Sequence, residues 1–182
     1  MTVVEQRGRG DGPMELGWEP KERRMTTTTV FQTCPVPGEA DLVAEAFRGD
    51  PGQWLPQPAE DAGLERWLLR LDVGRFSRPV LASVGPPWQL GEMTWRVLSW
   101  EPLGEDGESL PLDRVLPVFH GEIGLREVDS PTLVMQGAYD PPLGRMGRQL
   151  DSALLHRLAD RTVRELVVAV AKRLSEENLV TR

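Results

Sequence analysis

"RVLPVFHGEIGLREV" (residues 114–128), "TLVMQGAY" (132–139) and "DPPLGRMGRQLD" (140–151) decide the fold of this chain. In the first run Val115, Phe119, Ile123 and Leu125 share one parity, while His120, Glu122 and Arg126 occupy the other. Side chains along a strand alternate between faces, so the spacing predicts a strand with His120 turned outward. The second run repeats the pattern with Leu133, Met135 and Tyr139. Gly121, Gly124 and Gly137 sit inside these strands, where glycine often marks a bulge or the sharp bend that a wrapped sheet needs. Beyond Pro142, Leu150, Leu154, Leu155, Leu158, Val163, Leu166, Val167, Val170 and Leu174 fill one broad face, with Arg157, Arg161, Arg164 and Lys172 mostly opposite. A helix of roughly 30 residues would be about 45 Å long. Two strands feeding one long terminal helix imply a curved sheet closed by that helix, an arrangement that usually encloses a pocket.

Working back toward the N-terminus, "TWRVLSW" (94–100) and "RPVLASV" (78–84) read as strands, the second interrupted by proline. "RWLLRLDV" (66–73) alternates cleanly, with Trp67, Leu69, Leu71 and Val73 inward and Arg66, Arg70 and Asp72 outward. The segments between them read as loops: a Pro, Ala, Glu and Gly stretch before residue 66, "GPPWQLGE" (85–92) with Trp88 folded over one end of the sheet, and the acidic "EPLGEDGESLP" (101–111). Leu42, Val43, Ala46 and Phe47 recur at helical spacing, with Glu39 and Asp41 in the first turn, so one short helix ends near Gly49. Residues 50–54 form a further turn that closes Trp54 and Leu55 onto the core. "TTTTVFQT" (26–33) is a first, edge strand stopped by Pro35 and Pro37. The first 24 residues hold four glycines and two prolines among ten charged side chains, without period, and read as a disordered arm in which Trp18 stands out.

The 182 residues suffice for one domain with a real core. A net charge of −7, with its basic residues dispersed, argues against a nucleic-acid partner. No stretch approaches the roughly 18 apolar residues of a membrane span, and the N-terminus has no apolar signal core, so a cytoplasmic protein is expected. The single cysteine, Cys34, excludes an internal disulfide, and with only His120 and His156 as imidazoles no Cys/His cluster can hold a metal. No cofactor motif is present. The glycines of "DPPLGRMG" match neither phosphate-binding loop pattern and read as a rigid strand-to-helix turn.

The segment from Val115 to Leu174 resembles the actinobacterial, polyketide-cyclase-like branch of the START-like superfamily, also called SRPBCC or helix-grip proteins. "FHGEIGL", the strand end at Gly137 and Tyr139, "PPLGRMGRQLD" and "HRLADRTVREL" carry the resemblance. It covers about a third of the chain tightly and reaches Thr26 loosely through the order of elements. It implies an α+β fold: a curved antiparallel sheet of about six to seven strands wrapped around the C-terminal helix, with an apolar cavity between. The domain would span 26–177, after an arm over 1–25 and before a tail over 178–182. Superfamily members range from lipid and hormone binders to cyclases and quinone-binding chaperones, so the fold does not select a function.

Among the polar residues, Asp151 falls on the helix face turned to the sheet, where it would anchor the join by bonding to backbone, to Tyr139 or to a nearby arginine. Buried and open to a ligand, it would instead be an acid with a raised pKa. Tyr139 could orient a ligand oxygen at a cavity mouth, although anchoring by its hydroxyl explains it as well. His156 lies at the edge of the apolar helix face. No Ser/His/Asp arrangement or inward carboxylate pair is readable, so no catalytic residue is assigned. The expected function is binding of a hydrophobic or aromatic small molecule, lined by Trp67, Leu69, Leu71, Phe119, Ile123, Met135, Tyr139, Asp151, Leu154 and Leu158. Two alternatives stand beside it: a cyclase or dehydratase in which Asp151 or His156 moves a proton, and an interaction module using the outer sheet face or the arm around Trp18.

Overall fold

The computed structural model describes residues 28–73, 76–103, 116–128, 130–140 and 152–180. In chain order these form β1 (Thr28–Pro35), α1 (Ala40–Arg48), α2 (Pro51–Trp54), β2 (Ala59–Gly63), β3 (Arg66–Val73), β4 (Phe76–Val84), β5 (Trp88–Leu90), β6 (Met93–Pro102), β7 (Val118–Arg126), β8 (Thr132–Asp140) and α3 (Ser152–Val180). One antiparallel sheet runs in the order β1-β8-β7-β6-β4-β3-β2, with β5 paired to β6, and α3 lies across its inner face against β1, β3 and β8. This is the α+β helix-grip arrangement. The arm over 1–25 lies outside the described residues. At the other end α3 continues through residues 178–180, beyond the expected domain boundary.

Period two decides which side chains face α3. Trp67, Leu69, Leu71, Leu98, Trp100, Phe119, Ile123, Leu125, Leu133, Met135 and Tyr139 are all buried, as are Val163, Leu166, Val167, Val170 and Leu174 from α3. His120 is exposed on the opposite face, as its parity requires. α1 ends at Gly49, and Trp54 and Leu55 close onto the core beneath it.

Eight strands exceed the expected six or seven because β2 and β5 carry no strand signature. β2 is "AEDAG", almost wholly exposed, and β5 is the exposed tripeptide "WQL". Both are held by backbone pairing to a well-patterned neighbour, β3 and β6 respectively. Trp88 stacks on Trp95 on the outer face, with ring centroids 6.3 Å apart, rather than folding over the sheet's end.

The strand glycines are not bulges. The β6–β7 and β7–β8 ladders run without a register shift, and Gly121 lies directly opposite Gly137. A Cβ on Gly121 would fall 2.6 Å from the tip of the Phe119 ring and 2.2 Å from the Gln136 carbonyl oxygen; one on Gly137 would fall 2.5 Å from the same ring. Phe119 therefore lies flat across the glycine pair on the inner face. On the outer face Gly124 makes the same room for Trp95, 2.6 Å from its would-be Cβ. Gly137→Ala is expected to cost about 2 kcal/mol or more, because neither a core ring nor a ladder carbonyl can yield. Urea unfolding checks this, and an unchanged midpoint would show that Phe119 does not need the glycine surface.

Candidate ligand-binding site

At one end of the inner face three aromatic rings meet. Trp100 stacks on Phe119 at 4.3 Å between centroids, and Tyr139 meets Phe119 at 5.1 Å and the edge of Trp100 at 5.8 Å. Cross-strand pairing places Phe119 opposite both Trp100 and Tyr139, so the cluster follows from register. The polar tips are directed to backbone: Trp100 Nε1 donates to the Pro117 carbonyl at 3.2 Å, and the Tyr139 hydroxyl donates to the Ala159 carbonyl at 3.1 Å. Tyr139 thus ties α3 to β8. Gln32 on β1 donates to Asp160 beside it and makes a second tie.

Burial holds the Tyr139 phenol above its ordinary pKa, and the nearby Asp160 carboxylate pushes the same way. Asp160 is the described helix carboxylate near the phenol. Asp151, expected in that place, lies outside the described residues, as does the side chain of Leu154. Leu69, Leu71, Phe119, Ile123 and Met135 share the core with Tyr139, and Leu158 packs on it while remaining half-buried. Trp67 pairs with Ala82 and Ala82 with Trp100, so Trp67 lies two strands from Trp100 in the same cross-strand row. His156, considered for proton transfer, is exposed on α3.

One inward residue beyond this row, toward the start of β4, was not singled out from the sequence. Arg78 pairs with Leu71 across β3 and β4, and Leu69 pairs with Val80, so Arg78 shares the inward parity of this apolar surface. Its Nε is buried and finds no hydrogen-bond partner among the described residues. The signal was present in the spacing of Arg78, Val80, Ala82 and Val84, but the proline between them obscured the alternation.

Two depressions stand out among the described residues, and neither is lined by α3. The larger, about 660 Å³ and open, lies on the outer face between Phe31 and Val97, with His120, Glu122 and Gln136 along it. The smaller, about 290 Å³, lies against Trp67 and Arg96. Arg96 is buried, and its guanidinium donates to the carbonyls of Arg48, Gly49 and Gly85. Burial lowers its pKa, opposed by Asp50 and Glu65.

No protein-family model and no curated protein matches the chain. Solved structures match it over most of its length. A conserved protein from Geobacillus kaustophilus aligns at 10% identity over 82% of this chain and 96% of its own, with a TM-score of 0.51. The Zhui aromatase/cyclase from a Streptomyces species aligns at 20% identity over 86% and 96%, with a TM-score of 0.47. A truncated norcoclaurine synthase from Thalictrum flavum aligns at 13% identity over 85% and 93%, with a TM-score of 0.41. The chain has the helix-grip fold. Identities this low speak to fold alone.

Tyr139 is the only tyrosine, which gives its chemistry a clean readout. Its folded pKa lies above the unfolded value near 10, so the native state keeps a proton that the unfolded chain loses. The stability it contributes is complete below about pH 10 and declines as pH rises further, by at most about 1.4 kcal/mol per unit. Tyr139→Phe is expected to cost about 1 kcal/mol at neutral pH through the lost hydroxyl bond and to remove this alkaline decline. Urea unfolding between pH 8 and about 11 tests both, and a tyrosinate absorbance appearing near pH 10 in the native protein would contradict the burial.

Proposed function

We propose that the chain binds a hydrophobic or aromatic small molecule bearing an anionic or strongly accepting oxygen. The site is the aromatic end of the space between the sheet and α3. Arg78 carries this reading: a guanidinium whose Nε is buried without a partner among the described residues, on the inward parity beside Leu71 and four residues along β4 from Ala82, which pairs with Trp100. A buried donor left unpaired costs about 1–3 kcal/mol, and more when charged, and a ligand oxygen removes that cost. The apolar body of the ligand gains roughly 25 cal/mol for each Å² it buries, before ordering costs. Leu158 borders the site from α3.

Each half of the ligand has its partner: rings and aliphatic groups for the body, Arg78 for the oxygen. Tyr139 donates its proton to Ala159 and so supports the wall rather than the guest. Asp151 and Leu154 are assigned no part in it.

The test uses 2-naphthoate and neutral 2-naphthol, each displacing an anilinonaphthalene sulfonate probe from the protein. The wild type is expected to favour the carboxylate by about tenfold, the scale of one charge-assisted hydrogen bond. Arg78→Met keeps the apolar stem and should abolish that preference while leaving the urea midpoint unchanged or higher. A preference for the carboxylate as large in the variant as in the wild type, or no displacement by either compound, would overturn the reading.

A further inference from the structure

Neither the core nor the aromatic end uses the outer face of the sheet. Pairing across β1, β8, β7 and β6 sets two adjacent rows of side chains on it. Phe31, Gln136, Glu122 and Val97 form a bulky row; Thr29, Ala138, His120 and Ser99, two residues along each strand, form a smaller one. The step in size leaves the open groove of about 660 Å³ between Phe31 and Val97 on a surface that is otherwise convex. Phe31 is 62% exposed and Val97 52%. The next row holds Thr33, Val134, Gly124 and Trp95. Across all three rows His120 and Glu122 are the only ionisable side chains.

A solvated outer face ordinarily answers the apolar inner one with polar residues, and an apolar patch of this extent marks a contact surface. Copies of a chain carrying a net charge of −7 repel one another in general, so an almost uncharged face is where two of them can meet.

We propose that this face is covered by a second copy of the chain, in a two-fold dimer. The axis lies between the two sheets and runs across the strands at the level of Gly121. Such an axis reverses strand direction and keeps strand order, so the bulky row of each subunit lies over the small row of the other. Phe31 then faces Thr29 of the partner subunit, Val97 faces the partner subunit's Ser99, and Glu122 faces the partner subunit's His120. An isologous contact makes each pair twice, so both ionisable groups are matched. Glu122 Oε2 already accepts from Gln136 Nε2 at 3.1 Å, and Oε1 takes the imidazole N–H. An axis through Glu122 itself would oppose the two carboxylates, and one just beyond it would set each against Gly124 of the partner subunit. Four strands about 4.8 Å apart and about eight residues long present roughly 500 Å², less than the roughly 800 Å² that each partner of a standard complex contributes. The dimer is therefore a micromolar, exchanging one. It lies on the far side of the sheet from the aromatic end and is independent of the guest proposed there.

Sedimentation equilibrium of the full chain tests this. The wild type should dimerise with a Kd between about 1 and 100 µM. Val97→Lys should weaken the dimer at least about tenfold, as should His120→Glu, which opposes carboxylates at both pairs. Combining His120→Glu with Glu122→His exchanges the two partners and should recover most of that loss, which a merely adhesive surface would not do. Val97 and His120 are exposed, so far-UV circular dichroism of each variant should match that of the wild type. A chain that stays monomeric up to about 500 µM would overturn the proposal, and so would one whose outer face is covered by its own residues 1–27. A dimer unmoved by both single variants, an assembly larger than two, or a double variant no tighter than His120→Glu alone would overturn it equally.

Discussion

The packing of Phe119 on the Gly121–Gly137 pair is the constraint on which the inner face depends. The two glycines are opposed across β7 and β8, and the ring covers both, so neither position can take a Cβ. Because the ring lies flat, Trp100 can stack above it and Tyr139 can reach α3 with its hydroxyl. The aromatic pairs add about 0.5–1.5 kcal/mol each beyond their burial. The glycines thus set the geometry of the wall against which α3 and any guest must pack.

Two arginines share this concave surface, and their surroundings separate their roles. Arg96 holds the last carbonyls of α1, where the helix dipole is negative and no intrahelical donor remains, and ties them to Gly85. That is a structural clamp, with one donor to spare. Arg78 has no such backbone partners among the described residues, and no carboxylate pairs with it. Arg78 is half-buried, and the contrast is between a cation bonded into the fold and one whose Nε lacks an acceptor among the described residues.

Much of this was legible from alternation alone. β3, β7 and β8 present one clean apolar face each, and their parity correctly turned Trp67, Phe119, Ile123 and Met135 inward and His120 outward. The misreadings have physical causes. β2 and β5 bury almost nothing, so no hydrophobic period announces them. In β6 the outer face carries Trp95 and Val97, because Trp95 packs on Gly124 and Trp88; with apolar residues on both parities, the inward placing of Arg96 was hidden. The glycines were read as breaks in the ladder, whereas they are absences of side chain that admit a ring. One residue type serves both ends, and only the neighbour across the strand distinguishes them. The burial of the apolar inner face was legible, while the inward arginines were not, since chemistry was sought among carboxylates and histidines.

The attachments of α3 show where the helix and the sheet fit. Near its start, Tyr139 and Gln32 hold Ala159 and Asp160; further along, Arg173 donates to the Gln53 carbonyl at 3.0 Å. Between these ties Val163, Leu166, Val167, Val170 and Leu174 are buried against the sheet. A guest in this middle stretch would have to displace close-packed side chains, and each lost large side chain contact costs kilocalories. A curved sheet and a helix can be complementary over only part of their length, and the buried stripe from Val163 to Leu174 marks the part where they are.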